Sequence, residues 1–390
     1  MKKILILLFF VFFAVNFIPA VFAADKYTVR QRFGAGGVGW PHTIDELPWQ
    51  NLDIGWYHDW YNEGGPRNGL EYMGMAGGYT TSYPDSSLAA SCQSLKTQIL
   101  TSSWKYPNGM MWTIGNEIGW DVEMGPLTAA THFEKWRDCL KSINPTFQVG
   151  TGAIAGLWIK LATETTPHDP STCTSLTDPA SGRSYFEKYL EKIINDTNGD
   201  QTKYPDLVVT HAYPNCVEWN TASVHIIVDE VRKIMKTHGM QNKDLVIKEW
   251  GDNRTNITYD TRVNFLTDSS NFFFTEKDTD LGNPDDNYRM VQRWAWFILN
   301  IWPNFPDHLP AWKPFQLIDT YNFSSNYPLT TLGQRYRDII STNRSPVSPI
   351  QGDFNNDNHV DIFDLRQILS VFTSIFDYNQ LVGNFGQPSP

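Results

Sequence analysis

The chain has 390 residues, 41% of them hydrophobic, enough to bury the core of one large domain and leave material for a small second unit. Its formal net charge of −11 argues against nucleic acid and anionic lipid as partners. Aromatic residues make up 14% of it, with 15 Trp and 17 Tyr, and flat rings stack on the C–H faces of sugars, a mild compositional pointer to carbohydrate.

Met1 to Ala23 opens with Lys2 and Lys3, continues through the apolar run "ILILLFFVFFAVNFIPAVFA", and closes on the small-residue pattern "VFA", which predicts a secretory signal. Its removal takes the formal charge from −11 to −13. A retained membrane anchor is the alternative, because the run is nearly long enough to span a bilayer. Asn16 and Pro19 interrupt it and favour cleavage, and no later segment has the length to span. The expected location is secreted or attached to the cell surface.

From about residue 28 to 342, β-type runs alternate with helical patterns, the signature of an α/β fold with a parallel sheet. Eight strand candidates follow in order: "RFGAGGVGW" near Gly36, then Leu52 to Trp60, Leu70 to Gly78, Met110 to Glu117, Phe147 to Ala155, Asp206 to Pro214, Asp244 to Asp252 and Arg293 to Asn300. Amphipathic helices are clearest in "THFEKWRDCLKSI", "SYFEKYLEKIIND" and "VHIIVDEVRKIMKTHG", with apolar residues at threes and fours, and "TTLGQRYRDIIS" is expected as the last helix. Eight strands with interposed helices predict a (β/α)8 TIM barrel over residues 24–342. One crossover is irregular, since "YNEGGPRNG" is too short and too Gly-rich for a helix.

Four cysteines, Cys92, Cys139, Cys173 and Cys216, lack metal-ligand spacing and allow three pairings in an exported chain. Cys173 and Cys216 lie in loop-like sequence suited to a staple, whereas Cys139 sits in a helical pattern and is expected as a buried thiol.

The stretch "TNRSPVSPI" has the polar, proline-bearing character of a linker, placed at residues 343–350. In residues 351–390, "IFDLRQILSVF" is echoed by "IFDYNQLVGNF" at the same apolar positions, a short internal duplication. Asp353, Asn355, Asp357, His359, Asp361 and Asp364 occupy positions 1, 3, 5, 7, 9 and 12 of an EF-hand-like loop, where alternate oxygens wrap calcium and position 7 offers its backbone carbonyl. The loop and following helix resemble a dockerin. That resemblance implies a small helical calcium-binding module and a cohesin-like or cell-surface scaffold partner, although only the first repeat keeps its loop.

Chemistry concentrates at two strand ends. Glu117 closes the fourth candidate and Glu249 the seventh, and in such a barrel reactive groups sit where strands end at the C-terminal face. Two carboxyls flanking one bond suit glycoside hydrolysis, in which one protonates the leaving oxygen and the other supports the oxocarbenium-like centre. Burial and mutual repulsion separate their pKa values. No cofactor is expected for that catalysis.

"IGNE" and "KEWG" resemble the acid/base and nucleophile motifs of clan A retaining glycoside hydrolases. The runs "GWYHDW", "EYMGM", "VVTHAYP", "RWAWF" and "LTTLGQRY" are similar to the catalytic core of glycoside hydrolase family 128 and related β-glucanases. The resemblance implies Glu117 as acid/base, Glu249 as nucleophile, Asn116 as partner of the sugar 2-hydroxyl, Tyr213 orienting Glu249, and His211 lining the mouth. Trp296 is expected as the floor beneath the sugar. Trp56, His58, Asp59 and Trp60 are further subsite candidates. The function implied is secreted hydrolysis of a polysaccharide, a β-glucan cut internally; the rival is a non-catalytic carbohydrate-binding or attachment protein on the same barrel.

Overall fold

The computed structural model describes residues 25–37, 44–60, 64–67, 69–77, 85–120, 124–167, 169–214, 216–252, 254, 256–301, 313–320 and 327–344. Eight parallel strands close into a barrel: β1 (Phe33–Gly36), β2 (Trp56–His58), β3 (Glu71–Ala76), β4 (Met111–Ile114), β5 (Gln148–Gly150), β6 (Leu207–His211), β7 (Asp244–Trp250) and β8 (Arg293–Phe297). Each falls inside a run expected as a strand. The ring shuts where Phe33 of β1 pairs with Trp294 of β8.

Strand alternation sorts the side chains into two cores. Trp56, Met73, Met111, Leu207, Val209, Val246 and Ala295 fill the barrel interior with Ala153. Their neighbours face the helices and join a larger cluster that includes Phe33, Trp112, Trp250, Trp294 and Trp296. The interior tolerates the bulk of Trp56 because Gly34 faces it: a Cβ there would stand 2.4 Å from the indole.

Among the described residues, besides the single turn Val29–Arg32, six helices surround the barrel: α1 (Asp85–Thr101), α2 (Pro126–Ile143), α3 (Gly182–Asp196), α4 (Thr221–Thr237), α5 (Tyr259–Thr275) and α6 (Thr331–Asn343). Their starts are chemically marked. Pro126 opens α2, and the side chains of Ser181, Asn220, Thr258 and Thr330 accept from backbone N–H groups three residues on. Sequence periodicity missed α1 and α5, whose interiors are rich in Ser, Thr and Asp and blur the apolar stripe. Among the described residues β2 and β3 are joined without a helix, as their short connection requires.

The N-terminal segment seals the lower end of the barrel. Lys26 and Tyr27 both bond Asp244 at the start of β7, at 2.8 and 2.6 Å, and Arg32 grips Asp286 with two bonds of 2.7 Å. The C-terminal ends of the strands form the opposite face. Two disulfides brace the outside, Cys173–Cys216 as expected and Cys92–Cys139, which joins α1 to α2 and replaces the buried thiol expected at Cys139. Cys92 lay in a helix that periodicity did not register, so its proximity was invisible.

No helix among the described residues is long and apolar enough to cross a membrane. The leader, most of the linker and all six loop residues from Asp353 to Asp364 lie outside the described residues.

Candidate active site

Glu117 follows β4 after Gly115 and Asn116, with φ of 38°, a left-handed backbone that non-glycine residues seldom adopt. Glu249 stands in β7. Between them His211, the last residue of β6, places Nδ1 at 3.0 Å from Glu117 Oε1 and Nε2 at 3.7 Å from Glu249 Oε1. One side-chain atom from each of the three lies within 4.8 Å of those of the other two.

A bulge explains how β7 delivers Glu249. Thr210 pairs with Ile247 but His211 with Glu249, and on the other side Trp294 pairs with Ile247 but Trp296 with Trp250. Lys248 is therefore one residue too many against both neighbours, and such an insertion re-aims the side chains around it. Lys248 and Glu249 consequently reach the same place although consecutive. The Lys248 ammonium donates to Asn116 Oδ1 and lies 3.4 Å from Glu249 Oε1.

Glu249 is almost fully enclosed. Trp60 Nε1 donates to Oε1 and the Tyr213 hydroxyl to Oε2, each at 3.2 Å. Burial pushes its pKa up, but the charges of His211 and Lys248 and the Trp60 hydrogen bond outweigh it and bring the carboxyl to about 2. The Tyr213 hydroxyl is held well above its usual range by burial and by both glutamates, so it remains a donor. Glu117 differs in exposure, with 21% of its side chain open to solvent. One carboxylate is thus fixed as an anion in a ring of donors, and the other faces the solvent side of the same cleft.

The remaining expected residues divide. His58 Nε2–H donates to the Lys248 carbonyl at 2.8 Å, and burial together with the Lys248 ammonium pushes its pKa down to about 3, so the ring is neutral. Gly36 makes room for it, since a Cβ there would meet His58 Nε2 at 2.3 Å. Asp59 accepts the Tyr72 hydroxyl at 2.6 Å. Trp56 is placed differently from expectation: it is fully buried in the barrel, under the Arg293 guanidinium, and its indole N–H donates to the Arg32 carbonyl.

Trp296 also departs from its expected role. It has no exposed surface, packs edge-on to Trp250 in the outer core, and donates to the Phe315 carbonyl at 2.7 Å. Strand parity is the cause: Arg293 and Ala295 face the interior, so Phe297 does too, and Trp296 turns outward. Phe297 joins Tyr213, Ile298, Ile301 and Phe315 at the mouth, with Trp60 and Trp219 against them. Phe297, Trp219 and Lys248 were not singled out from sequence; of these only Lys248, a charge inside the apolar run "LVIKEW", carried a readable signal.

Glu117, His211 and Glu249 are also the group among the described residues close enough to ligate a cation. The adjacent Lys248 ammonium opposes a second positive charge there.

No family model matches the chain, and no curated protein matches it. Solved structures do. A glucosidase from Croceicoccus marinus aligns with a TM-score of 0.54 at 11% identity, over 82% of this chain and 69% of its own. A monomeric β-xylosidase from Caulobacter crescentus CB15 gives 0.53 at 13%, over 81% and 69%. A family 39 glycoside hydrolase from Bacteroides cellulosilyticus WH2 gives 0.52 at 11%, over 81% and 65%. At these identities the similarity is one of fold, the (β/α)8 barrel.

Proposed function

We propose that the chain is a retaining glycoside hydrolase acting on a β-linked polysaccharide, with Glu249 as nucleophile and Glu117 as acid/base. The observation that carries this reading is the convergence of the two carboxyls: an oxygen of each lies within 4.8 Å of an oxygen of the other, which favours the close spacing of retaining pairs, about 5 to 5.5 Å, over the about 6.5 to 9.5 Å of inverting ones. In the first step Glu117 protonates the glycosidic oxygen while Glu249 Oε attacks the anomeric carbon and the bond to the leaving sugar breaks. In the second, Glu117 takes a proton from water, which displaces Glu249 and restores the original anomeric configuration. The Tyr213 hydroxyl and Trp60 indole hold the attacking carboxylate, and Asn116 meets the 2-hydroxyl.

The motif resemblance to family 128 β-glucanases favours a β-glucan cut internally. Two disulfides are consistent with an extracellular protein, and the reading includes export by the leader and attachment through a calcium-loaded dockerin-like module.

A panel of soluble β-glucans and β-xylans, with NMR of the first-formed anomer, tests the reaction. Retention is expected. In Glu249→Ala, azide should restore turnover and yield the α-glycosyl azide; in Glu117→Ala it should yield the β-azide. Inversion, or full activity in Glu249→Ala, overturns the assignment, and inertness of the wild-type chain across the panel with measurable glycan binding transfers the barrel to the non-catalytic reading.

A further inference from the structure

We infer that Lys248 is a positioning residue that locks the Asn116 amide in one orientation and keeps Glu249 ionised, through the bulge that makes it the extra residue of β7. The inference rests on the two-glutamate reading and adds to it a cation supplied by the strand of the nucleophile itself.

Three observations carry it. First, Lys248 is fully buried, and an ammonium in the interior must be matched by acceptors. Its hydrogen-bond partners are Asn116 Oδ1 and Glu249 Oε1, one group from each of the two strand ends that hold the glutamates. Second, an ammonium has three donors and no acceptor, so the Asn116 atom facing it is the carbonyl oxygen. An amide that could otherwise flip is thereby fixed, with its oxygen committed to Lys248 and its Nδ2 end left as the donor end. Third, the bulge that turns Glu249 into the cleft is what lets Lys248 stand beside it. Without the extra residue, Ile247 and Glu249 would share a face and Lys248 would take the opposite one, so the ammonium and the carboxylate could not both reach the cleft.

The chemical consequence follows from charge. Two carboxyls this close repel, and the attacking one must be an anion in the resting enzyme. Lys248 supplies a fixed positive charge 3.4 Å from Glu249, where His211, His58 and Tyr213 are the other titratable groups packed against it, and biases that carboxyl toward its ionised form. A neutral donor in its place would still orient Asn116 but would not create that bias.

The test reads the carboxyl directly, independent of any substrate. Full-length protein labelled with 13C at the glutamate carboxyl is titrated by NMR, the Glu249 signal being assigned by its loss in Glu249→Gln. Lys248→Met and Lys248→Gln should raise the Glu249 midpoint by about 1 to 3 pH units, while Lys248→Arg leaves it low. Lys248→Gln keeps a donor for Asn116 and so separates charge from hydrogen bonding. An unchanged midpoint in a folded neutral variant overturns the inference. So does the failure of both neutral variants to fold while Lys248→Arg folds, since the ammonium would then be a structural requirement. Absence of glycan hydrolysis by the wild-type chain, with the midpoint shifting as expected, would instead refute the hydrolase reading and leave the electrostatic role of Lys248 standing.

Discussion

His211 Nδ1 lies 3.0 Å from Glu117 Oε1, and this one contact ties the end of β6 to the loop after β4. The same ring turns Nε2 toward Glu249 at 3.7 Å, where it has no hydrogen-bond partner of its own. A single imidazole therefore senses both carboxyls. Because it is wholly buried, its orientation is set by the barrel and not by solvent.

His211→Ala should lower kcat/KM about 100-fold, the scale of a positioned acid–base group. The measurement is steady-state kinetics on the best glycan alongside thermal unfolding. A loss of stability with unchanged kinetics per folded molecule would show the ring to be a core residue only.

Glu249 carries a pH signature of known sign. Its carboxyl sits near 2, below the usual glutamate value, so the folded state favours its ionised form. That contribution to stability is complete above the unfolded-state pKa and fades as pH falls toward about 2. Glu249→Gln should consequently lose less stability than wild type between about pH 5 and pH 2, as measured by urea unfolding at each pH. Parallel pH profiles for the two proteins would contradict the lowered pKa.

The aromatic roles at β8 are separable. Trp296→Ala empties a fully buried site and should cost about 3 to 5 kcal/mol of stability, with little change in turnover per folded molecule. Phe297→Ala, at the mouth, should raise KM more than it lowers the melting temperature. The reverse pattern would return the sugar floor to Trp296.

The C-terminal loop makes a prediction independent of the barrel. Calorimetry on the full-length chain should show one calcium bound through the loop that begins at Asp353, and Asp353→Ala with Asp357→Ala should abolish it without altering glycan turnover. No calcium uptake would remove the dockerin-like reading and leave the active site untouched.

Much of the barrel was legible because its signals are local. Eight β-branched and aromatic runs, each bounded by turn residues, are decided within a few positions, and all eight became strands. The two glutamates were legible for the same reason, each ending an apolar run in a setting that packing alone does not favour.

What tertiary structure decided was parity and proximity. Trp296 and Phe297 are adjacent in sequence, and only closure of β8 against β7 and β1 determined which faced the mouth. The bulge at Lys248 is a mismatch in count between paired strands, a quantity that no single strand contains. The link from Cys92 to Cys139 depended on a helix whose polar interior hid its periodicity. Local sequence sets which segments are strands, because backbone preference and burial pattern act over a few residues; which side chains meet is set by register between segments far apart in the chain.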